Sequence, residues 1–102
     1  MRVLWGEGAL NDLAEIVEYI GQDNPDAAAE TAERILTVVG QLADAPALGR
    51  PGRVPKTREL IVAGTPYLVP YRVKRGDVQI LRVFHTAQRT PLRWEGRPSR
   101  KR

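Results

Sequence analysis

The hydrophobic period of this chain changes once, from helical to extended, and that switch limits the folds open to it. Leu10, Leu13, Ile16 or Val17 and Ile20 recur at three- and four-residue steps, with Asp12, Glu15 and Glu18 on the other side. This is the stripe of an amphipathic helix of about three turns that ends near Gly21. A second helix starts at Asn24-Pro25, where Asn can cap the free amides and Pro forfeits no hydrogen bond at the first helical position. Its stripe is Ala28, Ala32, Ile35, Leu36, Val39 and Leu42, and its alanines favour helix and close approach of a neighbour. The short link between the two predicts an antiparallel helical hairpin.

After Asp44 the pattern becomes extended. The stretch 48–57 carries Gly49, Pro51, Gly52 and Pro55 and reads as a loop loaded with Arg50, Arg53 and Lys56. Strands are expected at Arg58–Val62, 67–73 and 78–85, with a turn at 63–66 and a hairpin across 74–77. Pro70 cannot donate to a ladder and predicts an edge or a bulge. With Arg2–Trp5 as a first strand, the order is β-α-α-β-β-β. The expected class is α+β, a helical hairpin laid on a mostly antiparallel four-stranded sheet. Trp5 is expected to pack against the helices.

Charge divides along the same boundary. From residue 7 to 44 nine acidic residues face one basic residue, Arg34, a net of −8; from residue 45 onward fourteen Lys or Arg face Glu59, Asp77 and Glu95, a net of +11. A chain acidic on one half and basic on the other is suited to present a cationic surface to an anionic partner, and a pI near 10.0 points the same way. At 102 residues it forms one domain, expected over 1–87, followed by a basic, partly flexible tail over 88–102 in which Trp94 could stack on a partner or anchor the tail on the domain. There is no cysteine, hence no disulfide framework, thiol nucleophile or thiolate metal site. No apolar stretch approaches the roughly 20 residues that span a bilayer, and the start leads into an acidic segment unlike an export signal, so a soluble cytoplasmic protein without membrane contact is expected. No cofactor fingerprint and no metal-ligand cluster is present in the sequence, and no cofactor is expected.

Six segments in order, ALNDLAEIVEYI (9–20), DNP (23–25), GRPGR (49–53), TREL (57–60), PYLVPYRV (66–73) and VQILRVFH (78–85), resemble the RelE/ParE toxins of type II toxin–antitoxin pairs over roughly residues 3–91. The resemblance implies a growth inhibitor neutralised by a cognate antitoxin in a hetero-oligomer. RelE-like members cut messenger RNA on the ribosome without a metal, whereas ParE-like members poison DNA gyrase. One fold with two outcomes leaves the decision to the site.

Metal-free RNA cleavage needs a proton acceptor for the 2′-hydroxyl, cations around the phosphate and a donor for the leaving oxygen. Histidine is the side chain whose ordinary pKa lies nearest neutrality, and His85 is the sole one, at a strand end where some ribonuclease relatives carry an acid–base histidine. Arg72 and Arg82 interrupt apolar strands and need a carboxylate or a phosphate as partner. Arg58, Arg82 and His85 are thus the candidate catalytic residues, and Arg50, Arg53, Lys56 and Arg72 the candidate nucleic-acid contacts. Structural alternatives stand beside each: an ion pair of the strand arginines with Glu59 or a helix acid, and a solvated charged loop. Glu59 itself is a general base or a neutraliser of a nearby arginine. In an unbroken strand Arg82 and His85 face opposite sides. The chain also lacks the lysine-rich segment or terminal tyrosine of the ribonuclease branch, having Lys56 alone and Thr86 after His85. Without that tyrosine a non-catalytic gyrase binder is the alternative reading. Tyr67 and Tyr71 are expected as cross-strand core aromatics.

Overall fold

A computed structural model describes residues 1–87. The tail 88–102 and Trp94 lie outside the described residues. Strand β1 (Arg2–Trp5) leads into α1 (Glu7–Gly21) and α2 (Pro25–Gly40), a single 3-10 turn (Gln41–Ala43), then β2 (Arg50–Pro51), β3 (Arg58–Val62), β4 (Tyr67–Lys74), β5 (Asp77–Ile80) and β6 (Phe84–His85). The sheet runs β1-β5-β4-β3-β2, with β6 also paired to β4. Among the described residues only β1 and β5 are parallel; the other pairs are antiparallel. The α+β class and the helical hairpin stand as expected. Among the described residues the strand count rises from four to six because Arg50–Pro51 pairs with β3 and because the expected strand 78–85 is broken.

Both helices form where their stripes place them, but the buried faces are rotated from those stripes: α1 buries Gly8, Ala9 and Asp12 and leaves Leu10 exposed, and α2 buries Ala28, Ile35 and Val39 and leaves Leu36 exposed. Asn24 caps α2 through its side chain, which accepts from the Ala27 N–H at 3.0 Å, and Pro25 sits in the first turn. Ala9, Ile35, Val39 and Leu42 are buried on one sheet face against Leu60, Val62, Val69, Tyr71, Val78 and Ile80, while Trp5, Leu13 and Ile16 close the edge of that core. Burial of these side chains removes apolar area from water and is the main stabilising term.

The break in the last strand has its cause in Pro70. Leu81 N–H donates to the Pro70 carbonyl at 2.9 Å, but Pro70 has no N–H to return, and the β5 ladder ends at Ile80. Tyr71 pairs with Ile80 and Leu68 with Phe84, so three residues, Leu81, Arg82 and Val83, stand opposite two, Val69 and Pro70. That is a one-residue bulge. Pro70 lies in a central strand, not an edge, and the bulge is its accommodation. Among the described residues no helix is long and apolar enough to cross a membrane.

Candidate functional site: a cationic cleft at one end of the sheet

Lys56, Arg58 and Arg72 come together around a surface cleft of about 270 Å³, completed by Pro51, Thr57 and Val73. Arg58 opens β3 and is register partner of Tyr71, the residue before Arg72, so the pairing of β3 with β4 brings both arginines to one end of the sheet. Arg58 is steadied by the loop before it, its Nη1 donating to the Gly49 carbonyl at 2.6 Å. That loop is pinned in turn by Tyr71, whose hydroxyl donates to the Pro46 carbonyl at 2.7 Å and accepts from the Gly49 N–H at 2.8 Å. Arg72 Nε donates to Gln79 Oε1 at 2.8 Å across β4–β5, a neutral partner that orients the guanidinium without cancelling its charge.

Lys56 enters by an unusual turn. Thr57 N–H donates to the Val54 carbonyl, Pro55 follows Val54, and Lys56 has φ +67°. Proline second and a left-handed residue third are the marks of a type II turn, whose third position ordinarily belongs to glycine. The turn is held by a 2.6 Å bond from the Thr57 hydroxyl to the Val54 carbonyl and by Val54 itself, which packs with Leu81 and Phe84 beside the bulge.

Arg82 and Arg50 are already paired, and Arg53 does not line the cleft. Arg82 donates from Nε to Asp12 Oδ2 at 2.7 Å and from Nη2 to Oδ1 at 3.0 Å, and the Val83 N–H adds a third bond to the same carboxylate at 2.9 Å. The helix-acid alternative therefore describes Arg82: its charge ties α1 to the bulge. Arg50 Nη2 meets Glu59 Oε1 at 3.3 Å, and the Arg53 backbone N–H donates to Oε2 at 3.0 Å, so the buried Glu59 carboxylate is spent on its own loop. Arg2 pairs with Asp77. Among the described residues, no carboxylate lies within ion-pair distance of Lys56, Arg58 or Arg72.

His85 is not brought to the cleft. It is register partner of Tyr67, its ring meets that tyrosine edge-on at 5.4 Å, and its Nδ1 accepts from the Ala87 N–H at 3.0 Å. Tyr67 precedes Arg72 by five residues on one strand, which puts the two positions about 17 Å apart at a rise of about 3.3 Å per residue. Burial, with a smaller contribution from Tyr19, raises the Tyr67 phenol above its ordinary pKa. Tyr67 and Tyr71 are both core aromatics, as their alternation suggests.

A larger groove of about 710 Å³ runs between α2 and the β3–β4 turn, but Glu30 and Glu33 line it alongside Arg34, and it offers an anion no net attraction. Among the described residues no three His, Cys, Asp or Glu side chains gather as metal ligands. Sequence reasoning missed Asp12, which it placed on the polar side of α1; the buried face runs instead through Gly8, Ala9 and Asp12.

The chain is a small α+β domain with a helical hairpin on one face of its sheet and a cationic cleft at one end, and comparison with known proteins gives it a family. Residues 3–90 match the ParE toxin family of type II toxin–antitoxin systems, parDE. Y4kP of Sinorhizobium fredii is 52% identical over 90 residues, covering 88% of this chain and 93% of that one. Toxin RelE2 of Caulobacter vibrioides is 41% identical over 87 residues, covering 85% and 97%. A solved chromosomal ParDE system from P. aeruginosa superimposes with a TM-score of 0.77 at 31% identity, over 83% of this chain and 95% of its counterpart. The chain belongs to the ParE toxin family of type II toxin–antitoxin systems.

Proposed function

We propose that this toxin arrests growth in the cytoplasm by gripping its target, in the manner of a gyrase poison, and not by cutting RNA. The observation that carries the reading is the strand register: His85 pairs with Tyr67, which stands about 17 Å from Arg72 along β4 at a rise of about 3.3 Å per residue. Cleavage needs an acid or base within hydrogen-bond reach of the reacting oxygens, and the cleft is lined by Lys56, Arg58 and Arg72 with Pro51, Thr57 and Val73. Glu59, the nearest acid in sequence, is buried beneath Arg50. Such a constellation binds an anionic surface and leaves its covalent bonds alone. Expression of the toxin alone should induce a DNA-damage response while total messenger stays intact; rapid loss of message without that response would defeat the proposal.

A second reading, ribosome-dependent cleavage, draws on the likeness to Toxin RelE2. It would require His85 to act with Arg58 and Arg82, two of which are held at different ends of the sheet. Cleavage of messenger on translating ribosomes by purified toxin is its test.

The partner in neutralisation is a cognate antitoxin. Leu10 and Tyr19 on α1 are 52% and 75% exposed, and Ile16, Val17 and Ile20 are only half-buried, an apolar strip that an amphipathic segment would cover. A toxin–antitoxin complex that survives high salt accords with apolar burial; dissociation in moderate salt would mean that charge alone holds it.

A further inference from the structure

We propose that the cleft end of the sheet binds the phosphodiester backbone of nucleic acid directly and without reading sequence, and that Lys56 is held in a left-handed conformation to complete that site. The inference rests on the cleft used in the reading above and gives it a ligand. Three formal positive charges line one cavity, and no acidic side chain lines it with them. Arg72 spends Nε on Gln79 and Arg58 spends Nη1 on the Gly49 carbonyl, which leaves further N–H groups on each guanidinium for an incoming anion. The walls, Pro51 and Val73, carry no hydrogen-bonding side chain, and the Thr57 hydroxyl is committed to the Val54 carbonyl. Apart from the guanidinium donors, which an incoming phosphate would occupy, no side chain of the cleft offers a hydrogen-bonding pattern that distinguishes one base from another. A sugar can lie on the apolar wall while its phosphate meets the cations.

The backbone points to the same end. Among the described residues only two without glycine's freedom have positive φ, Lys56 at +67° and Arg75 at +56°, and both are cations. Arg75 and Gly76 are the two central residues of the β4–β5 hairpin, whose flanking pair is Lys74 and Asp77. Arg72 and Lys74 alternate onto one face of β4, about 6.6 Å apart. Lys56, Arg72, Lys74 and Arg75 therefore run from the cleft to the hairpin tip, while Arg58, on the face of its register partner Tyr71, lines the cleft from the other side of the sheet; asparagine or glycine would suit the two left-handed positions better than lysine or arginine do. Strain retained at cationic positions is what a site selected for charge would keep. The acidic residues of the helical hairpin belong to the other layer, so the field over this end of the sheet stays positive.

Fluorescence anisotropy with the full chain tests this, using a labelled duplex DNA and a single-stranded RNA of equal length. Binding should tighten steeply as salt falls, with similar affinity for scrambled sequences. Lys56→Gly and Arg72→Gln should each weaken it roughly tenfold near 0.1 M salt and flatten the logarithmic salt slope by about one. Lys56→Gly keeps the turn, and an undiminished melting temperature will show that its loss is local. Arg34→Gln, in the α2 groove, should leave affinity unchanged. A preference for the duplex assigns DNA as the natural source of the backbone and a preference for the single strand assigns RNA; either upholds the site. No binding at low salt, equal loss in Arg34→Gln, or displacement by polyglutamate as effective as by DNA overturns it. DNA binding that persists while gyrase is unaffected would remove the target proposed above and leave this site standing; gyrase inhibition without DNA binding would do the reverse.

Discussion

Asp12 and Arg82, seventy residues apart in sequence, form a two-pronged ion pair across the boundary between the helical and extended halves of the chain. The carboxylate also accepts the Val83 N–H, so one helix side chain satisfies both the arginine and the backbone of the bulge. Leaving such a group unpaired costs more than the pair itself contributes. Asp12→Asn and Arg82→Gln should each lower stability by about 2–4 kcal/mol, and a double mutant should lose less than the sum. Thermal melting measures both. An Arg82→Gln protein that melts like the parent but has lost toxicity would instead place Arg82 on the target.

Gly49 sits where a side chain has no room. A Cβ there would stand 2.7 Å from Tyr71 Cε1 and 2.8 Å from the Glu59 carbonyl oxygen. Gly49→Ala must push away the loop whose carbonyl steadies Arg58, at a cost of about 1–3 kcal/mol. Toxicity should fall together with melting temperature. Unchanged values of both would show that the loop adapts.

The two left-handed cations lead to a gain instead of a loss. Arg75→Asn creates the Asn-Gly pair that a hairpin of this turn favours and should stabilise by about 1 kcal/mol. Lys56→Gly relieves the same strain but adds unfolded-state entropy, for a smaller net gain of roughly 0.5 kcal/mol. Denaturant midpoints report both. Destabilisation of more than about 1 kcal/mol in either would mean that the side chain packs in a way the turn geometry does not require.

Alkaline stability follows from Tyr67. Its phenol is raised chiefly by burial, so the folded state holds the proton more tightly than the unfolded chain. The contribution is intact below the ordinary tyrosine value of about 10 and is lost as pH rises through the folded value. Tyr67→Phe should flatten the fall in melting temperature above about pH 10. An identical fall in both proteins would assign alkaline unfolding to other groups.

Local signals in the sequence carried much of this architecture. Asn24-Pro25 marked the start of α2, the three- and four-residue steps of Leu10 to Ile20 marked α1, and Pro70 pointed to an edge or a bulge, of which the fold has the bulge. What sequence could not give is long-range or against type. The pairing of Arg50–Pro51 with β3 depends on tertiary position, since nothing in two residues encodes a strand. The bulge moved Arg82 toward α1, and only the fold joins it to Asp12. Lys56 occupies a glycine position of its turn, which composition reads as an ordinary charged loop. Of the candidate site, Lys56, Arg58 and Arg72 meet in one cleft; the Arg50 side chain pairs with Glu59, Arg53 gives that carboxylate its backbone N–H, and His85 belongs to the far end of β4.

The claim that the cleft grips a target without cutting RNA is tested most directly by titrating purified toxin into a DNA gyrase supercoiling reaction, in parallel with messenger on translating ribosomes. The account predicts that gyrase is inhibited, that Lys56→Gly and Arg72→Gln relieve the inhibition, and that the messenger remains whole. Full supercoiling beside cleaved messenger, abolished by a substitution at His85, would contradict it.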